Sequence, residues 1–534
     1  MNAPFPSATT AGLQVRPSPL APPAFPARRR LRYPLLTAAA ALVAVLALVP
    51  VVFILVAAAE TGWATASAMM FRARVGELLV NTFALEAAAI PLALTIAVAL
   101  AWLTERTDLP AARLWRALAV APLAVPAFVQ SYAWTDVVPT FHGYAAAVVV
   151  SVLAYFPFAY LPLAAQLRRL DPGLEDVAAS VGLSPLRCFV SAVLPQLRVA
   201  LAGGALLIGL HLLAEYGLYA LLRFDTFTTA IIDQFQAAYN GPAANMLALV
   251  LLASAVLLLA LERGARGGGR YARVGAGAPR PRACRRLAGW RIAALVLPAA
   301  VALLSLGVPL ATLARWLTVG GGAVWRSARI PEALGETLML ALAGGVLTTL
   351  AVLPIAWLSL RAPSRLQRAI EAAHTYVGSL PGVIVALALV ALTVRVALPL
   401  YQTVATLLLA YVLLFLPRAL IAVRAALAQV PVDLEWAAAA LGRSPGATAI
   451  FVTARLAAFG IVGGIALVAL AVTTELTATL LLAPNGTHTL ATEFWAATAE
   501  LDYAAAAPYA LLMVLASLPM TILLHAQARR AAAA

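Results

Sequence analysis

Apolar runs of about twenty residues follow one another along this chain, separated by short polar stretches; a helix of that length crosses the hydrocarbon core of a bilayer. The runs are continuous, whereas the strands of a membrane barrel would alternate apolar and polar positions. The pattern predicts about twelve spans. Six lie near 34–59, 81–103, 115–135, 144–167, 199–222 and 244–261, and six near 292–317, 336–360, 372–396, 401–424, 456–483 and 504–526. Lipid offers the backbone no hydrogen-bond partner, so the fold class is an all-α polytopic membrane protein.

Two polar islands interrupt this pattern in the same way. Residues 174–204 read LEDVAASVGLSPLRCFVSAVLPQLRVALAGG, and residues 434–464, 260 positions later, read LEWAAAALGRSPGATAIFVTARLAAFGIVGG. They align without a gap and share Glu175 with Glu435, Ala178 with Ala438, Ala179 with Ala439, Gly182 with Gly442, and the Ser-Pro that follows. Each reads as a short helix closed by a glycine in the left-handed conformation, then a second helix started by Ser184-Pro185 or Ser444-Pro445. Val177, Ala178 and Val181 share one face of the first helix, as do Ala437, Ala438 and Leu441. A helix with small residues and one carboxylate suits docking in a groove of another protein, where an arginine or amide would meet the carboxylate.

The repeat extends further. Ala101-Trp102-Leu103 returns as Ala356-Trp357-Leu358 and Pro126 as Pro381, both 255 positions on, while Glu215 returns as Glu475 at 260. The chain therefore divides into a tail at 1–33, a first half at 34–261, a linker at 262–291 and a second half at 292–534. The two halves are expected to be parallel six-helix repeats.

Charge fixes the expected orientation. The net charge is +15 with no lysine, so every one of its 37 basic residues is arginine. Arginines crowd at 28–32, in the linker (nine against one acid) and at Arg529-Arg530. Twelve spans put these on one side, which the positive-inside rule makes cytoplasmic, with both termini. The linker lacks interleaved aromatics, which argues against nucleic acid. Without lysine the chain cannot form a Walker A loop, so it is not itself a P-loop ATPase. Cys188 and Cys284 both fall on the cytoplasmic side, where a disulfide is not expected.

Glu215 and Glu475 fall inside predicted spans. An intramembrane carboxylate marks a candidate path, so Glu215, Tyr216, Tyr219 and Glu475 form a candidate translocation set. The competing structural reading bonds Glu475 to Thr473, Thr474 or Thr477. His211, one turn before Glu215, reads as its hydrogen-bonded partner in preference to the other reading of this spacing, a ligand pair. His488 reads as solvated in an outer loop. No metal site is assigned.

The pattern Glu-x-x-Ala-Ala-x-x-x-Gly, with Gly-Gly some twenty residues on, resembles the EAA loop of binding-protein-dependent ABC transporter permeases. It stands here as Glu175, Ala178, Ala179, Gly182 and as Glu435, Ala438, Ala439, Gly442. The first copy also has Leu194-Pro195, where the second has Ala454-Arg455. The resemblance implies the type I importer permease fold, in which each loop docks on one of two copies of a separate ATP-binding subunit. ATP is then used by that partner, this chain binds no cofactor and is not an enzyme, and a periplasmic protein brings the substrate. The fused two-loop arrangement is similar to ferric iron permeases, as are the stretches 225–231, 474–482 and 487–492. Thiamine, polyamine and phosphonate permeases are relatives. An ion-coupled secondary transporter is the reading from another class, but it would need acid–base pairs within the spans and leaves the matched islands unexplained.

Overall fold

The structure is a computed structural model and describes residues 34–170, 173–266, 286–378 and 380–533. The tail at 1–33, most of the linker and Cys284 lie outside the described residues. Among the described residues there is no strand, and nine helices are long and apolar enough to cross a membrane. A bent pair, Ala112–Ala124 with Ala127–Val137, turns by 95° and makes a tenth crossing if it is one span. Pro126 sits at the bend in an extended conformation, since proline starts a helix readily but cannot continue one. The corresponding Pro381 starts Gly382–Val396, an apolar helix of only 15 residues. It occupies the place of an expected span, as does the 31-residue helix Tyr503–Ala533.

Two predicted spans prove to be broken. The span expected at 199–222 is a helix Arg198–Ala214, a non-helical step at Glu215 and Tyr216, and a short helix Gly217–Leu221. That expected at 456–483 is Arg455–Thr473, a step through Thr474, Glu475 and Leu476, and Thr477–Leu482. Hydropathy continues through both breaks, so periodicity could not reveal them.

The two halves are not side-by-side bundles. The first helix, Pro34–Glu60, buries Ala40, Ala47 and Ile54 and packs against Arg329–Arg361, Arg365–Val377 and Gly382–Val396 of the second half. Reciprocally, Val308–Gly320 packs against Ala127–Val137 of the first half. Each half thus lends its leading helix to the other. On the linker side, Asp108 accepts from the Leu287 amide at 2.7 Å and from Arg291 Nε at 3.0 Å. The Arg291 guanidinium, then the Leu287 amide, hold the Asp108 carboxyl below the usual carboxylate range.

This crosswise packing predicts that the covalent link between halves is dispensable for assembly. Co-expressed pieces cut within 267–285 are expected to co-elute after detergent extraction when only one carries a tag. Separate elution would show that the exchanged helices do not hold the halves together.

Candidate functional site

The Ala73–Arg106 and Arg329–Arg361 helices have 34 and 33 residues, which at 1.5 Å per residue is about 50 Å. The hydrocarbon core needs only ~30 Å. The excess carries each helix's last residue, Arg106 or Arg361, out to a polar island. Arg106 Nη2 donates to Glu175 Oε1. Arg361 donates from Nε and Nη2 to both oxygens of Glu435 at 2.9–3.2 Å and reaches the Val430 carbonyl. Thr453 Oγ1 adds a fourth bond to Glu435, at 2.9 Å. Arg106 is 4% exposed, and Arg361 and Glu435 are equally enclosed at 13% each.

These arginines, each paired with an island glutamate, are functional candidates that the sequence reading missed. Their signal was present: Arg106 and Arg361 are separated by the same 255 residues as Ala101 and Ala356. The carboxylates, read as free to meet an arginine of another protein, have one from their own chain.

The helical turns form as expected. Gly173–Ser180 ends at Gly182 with φ +83°, and Val432–Ala440 at Gly442 with φ +80°. Leu183 donates to the Ala178 carbonyl and Arg443 to that of Ala438, closing each helix end. Ser444 caps the next helix by accepting from the Ala447 amide. On the outward side Val177 and Val181 are exposed in the first island, and Leu434, Trp436 and Leu441 in the second. Ala179 and Ala439 are exposed with them, while Ala178 is half-buried and Ala438 buried. The surface each island presents thus carries exposed apolar side chains beside exposed charge, Asp176 in the first and Asp433 with Arg443 in the second, while Glu175 and Glu435 turn inward.

At the span breaks, both glutamates cap the short helix that follows. Glu215 Oε1 accepts from the Leu218 amide at 3.1 Å, and Oε2 from the Tyr155 hydroxyl at 2.5 Å. Glu475 accepts from the amides of Ala478 and Thr479, both at 3.0 Å, and from Thr479 Oγ1 at 2.9 Å. Its side-chain partner is thus Thr479, and of the threonines read from the sequence Thr477 adds a backbone hydrogen bond. Thr228 Oγ1 donates to the Leu213 carbonyl at 2.7 Å, satisfying a group that the first break leaves open.

The breaks lie against each other, since a Cβ on Gly217 would come within 3.0 Å of Leu476. Tyr219 is fully buried and 3.3 Å from Ser151 Oγ. Its counterpart pair 260 residues on is Thr479 with Tyr411, at 2.8 Å, so the hydroxyl contact persists with the large and small partners exchanged. Tyr216 packs on Trp495. Tyr219 and Tyr216 therefore serve packing, whereas Tyr155 holds the Glu215 carboxylate.

His211 is not paired with Glu215. Its Nδ1 lies 2.7 Å from the Leu207 carbonyl, Phe158 stacks on its ring at 4.2 Å, and Arg418 Nη2 approaches Nε2 at 3.4 Å. His488 is not merely solvated. Its amide donates to Glu336 and its Nδ1 lies 2.7 Å from Glu493. Among the described residues no group of three or more His, Cys, Asp or Glu side chains could hold a metal ion.

Comparison with known proteins matches residues 345–533, which include the second island, to the family described as binding-protein-dependent transport system inner membrane component. The Fe(3+)-transport system permease protein FbpB 2 of Haemophilus influenzae is 34% identical over 473 residues, covering 88% of this chain and 93% of that protein. The chain belongs to this permease family. A more distant member, the sulfate transport system permease protein CysT of Salmonella typhimurium, is 28% identical over 30% of this chain and 65% of its own length. The permease is thus a multi-pass membrane protein of a transport system.

Proposed function

We propose that this permease is the transmembrane subunit of an ATP-driven importer of ferric iron in a bacterial inner membrane. Its two halves, 34–261 and 292–534, act as parallel six-helix repeats joined by the basic linker at 262–291, with both termini in the cytoplasm. Each island docks on one of two copies of an ATP-binding subunit. ATP is bound and hydrolysed there, and this chain needs no cofactor. A periplasmic binding protein delivers the cargo to the opposite face.

The observation that carries this reading is the matched pair of islands, each anchored by an arginine at the end of a long span, Arg106 buried and Arg361 largely enclosed. Such an anchor transmits a push on the docking helix directly to a membrane-crossing helix. Iron as cargo rests on the 34% identity to a permease named for Fe(3+) transport. The threonine-rich stretches argue less for iron than their pattern suggests. Thr226 with Thr229 and Thr489 with Thr492 form capping boxes, a role independent of cargo.

A second reading keeps the machine and changes the cargo to an oxyanion, on the strength of the sulfate permease relative. Uptake of radiolabelled ferric iron by cells with and without this chain tests the first reading. Iron uptake is expected to fall to background without the chain and return on complementation. Unchanged iron uptake with loss of sulfate or phosphonate uptake would transfer the function to the second reading. Loss of thiamine uptake instead would point to that branch of the family.

A further inference from the structure

Arg418 lies within the helix Val404–Ala428, 14 residues from its start and ten from its end. At 1.5 Å per residue it is about 21 Å from one end and about 15 Å from the other, well inside the bilayer. Its helix face is set by its neighbours. Tyr411 reaches Thr479, and Leu414 and Glu475 Oε1 both flank Gly382. Arg418 continues this face by one turn, and His211 of the first half meets it from across the interface. The side chain is accessible to a water-sized probe yet lies between the two halves. An arginine facing lipid at this depth would cost several kcal/mol, which favours a side chain turned to the interface, where His211 meets it.

The charge there is unbalanced. His211 donates from Nδ1 to the Leu207 carbonyl, which leaves Nε2 as an acceptor for Arg418. The guanidinium carries five donors in a planar fork, and its remaining contact is the face of Phe415 at 5.3 Å. Among the described residues Arg418 forms no ion pair. The nearby carboxylates are already occupied: Glu215 by Tyr155 and Leu218, and Glu475 by Ala478 and Thr479. Position 158, equivalent to 418 in the first half, holds a phenylalanine stacked on His211. The cation is therefore a single feature of the interface and not part of the repeated scaffold.

We propose that Arg418, with His211 beside it, binds an oxyanion or carboxylate group of the cargo within the membrane. This rests on the iron reading only for what the anion accompanies. Ferric ion is hard and holds oxygen ligands, so it would pass this point with an anionic ligand attached and not as a bare cation, which Arg418 would repel.

The test uses the full chain purified in lipid nanodiscs, titrated calorimetrically with citrate, inorganic phosphate, sulfate and ferric citrate. Arg418→Gln is expected to weaken binding of the anion that wild type takes by about tenfold or more, the effect of losing a charge-assisted contact. Arg418→Lys is expected to retain an intermediate affinity. Arg315→Gln, which removes an exposed arginine paired with Asp136, is expected to bind as wild type. Monodisperse elution of each variant guards against misfolding. Equal anion affinity in wild type and Arg418→Gln, or absence of binding to wild type, overturns the proposal. Binding of ferric citrate well above citrate alone supports an anion riding on iron. Preference for free sulfate or phosphate keeps the Arg418 site and overturns the iron reading instead.

Discussion

Reversing both docking-helix carboxylates, Glu175→Arg with Glu435→Arg, is expected to abolish ATP-driven uptake, and adding Arg106→Glu with Arg361→Glu is expected to restore a substantial part of it. The double variant sets arginine against the buried Arg106 at the first island and the largely enclosed Arg361 at the second. Removing one partner of a buried pair typically costs about 3–5 kcal/mol, and reversal adds repulsion to that loss. The spans themselves are untouched, so the chain should insert and reach normal levels. What fails is the posture of each docking helix relative to the long helix behind it.

The four-residue exchange rebuilds each pair with its polarity inverted. Recovery will be incomplete in the second island, because Thr453 Oγ1 and the Val430 carbonyl are placed for the native polarity. Uptake in reconstituted vesicles and co-purification of the ATP-binding subunit check both variants. If the four-residue variant remains as inactive as the double variant, while the islands keep native protection from proteolysis, the carboxylates contact the partner directly and the in-chain pairing is secondary. The exposed residues make a separate prediction of the opposite kind. Trp436→Asp with Leu441→Asp should release the ATP-binding subunit without disturbing the Arg361–Glu435 pair.

The second large effect concerns the glycines that end each island. Gly204→Val is expected to destabilise the chain strongly, while Gly203→Val should be nearly neutral. A Cβ on Gly204 would lie 2.9 Å from the Ala159 backbone, whereas one on Gly203 meets nothing within 4 Å. Helices in lipid gain stability from such close approach of small residues. Forcing extra methyl groups into a packed contact costs about 1–3 kcal/mol, and more where the obstruction is backbone. Gly464, the equivalent in the second half, is less constrained: its nearest atoms, Ala422 Cβ and Val423 Cγ2, stand at 3.5 Å. Gly464→Ala should therefore be tolerated. Thermal unfolding followed by size-exclusion elution reads all three variants. Equal losses at positions 203 and 204 would show that backbone freedom, and not packing, explains the pair.

The glycine pairs illustrate what an internal repeat can and cannot disclose. Both copies are identical in sequence, and each helix that carries them was legible from hydropathy. Which glycine faces a neighbour depends on how helices cross, and that is settled by residues elsewhere in the chain. The candidate path shows the same division. Glu215 and Glu475 stood out as carboxylates in apolar runs, but Tyr155, the Glu215 partner, is 60 residues away in the chain. The breaks in the two spans have no proline, and leucine and alanine continue on both sides. Only the capped geometry around each glutamate reveals them.

The sequence by itself determined the local properties of this permease. Apolar runs of membrane length dictated helices, the glycines at 182 and 442 dictated where the island helices stop, and the shared offsets identified the islands as a pair. These follow from solvation and backbone sterics, which act over a few residues. Only the tertiary structure decided which charges meet: Arg106 with Glu175 across 69 residues, Arg361 with Glu435 across 74, and Arg418 with a histidine 207 residues away and no carboxylate. Burial makes those pairings matter, because a charge removed from water must find a partner wherever the fold places one. The sequence marked the islands as polar, and packing turned their carboxylates inward and left their apolar faces exposed.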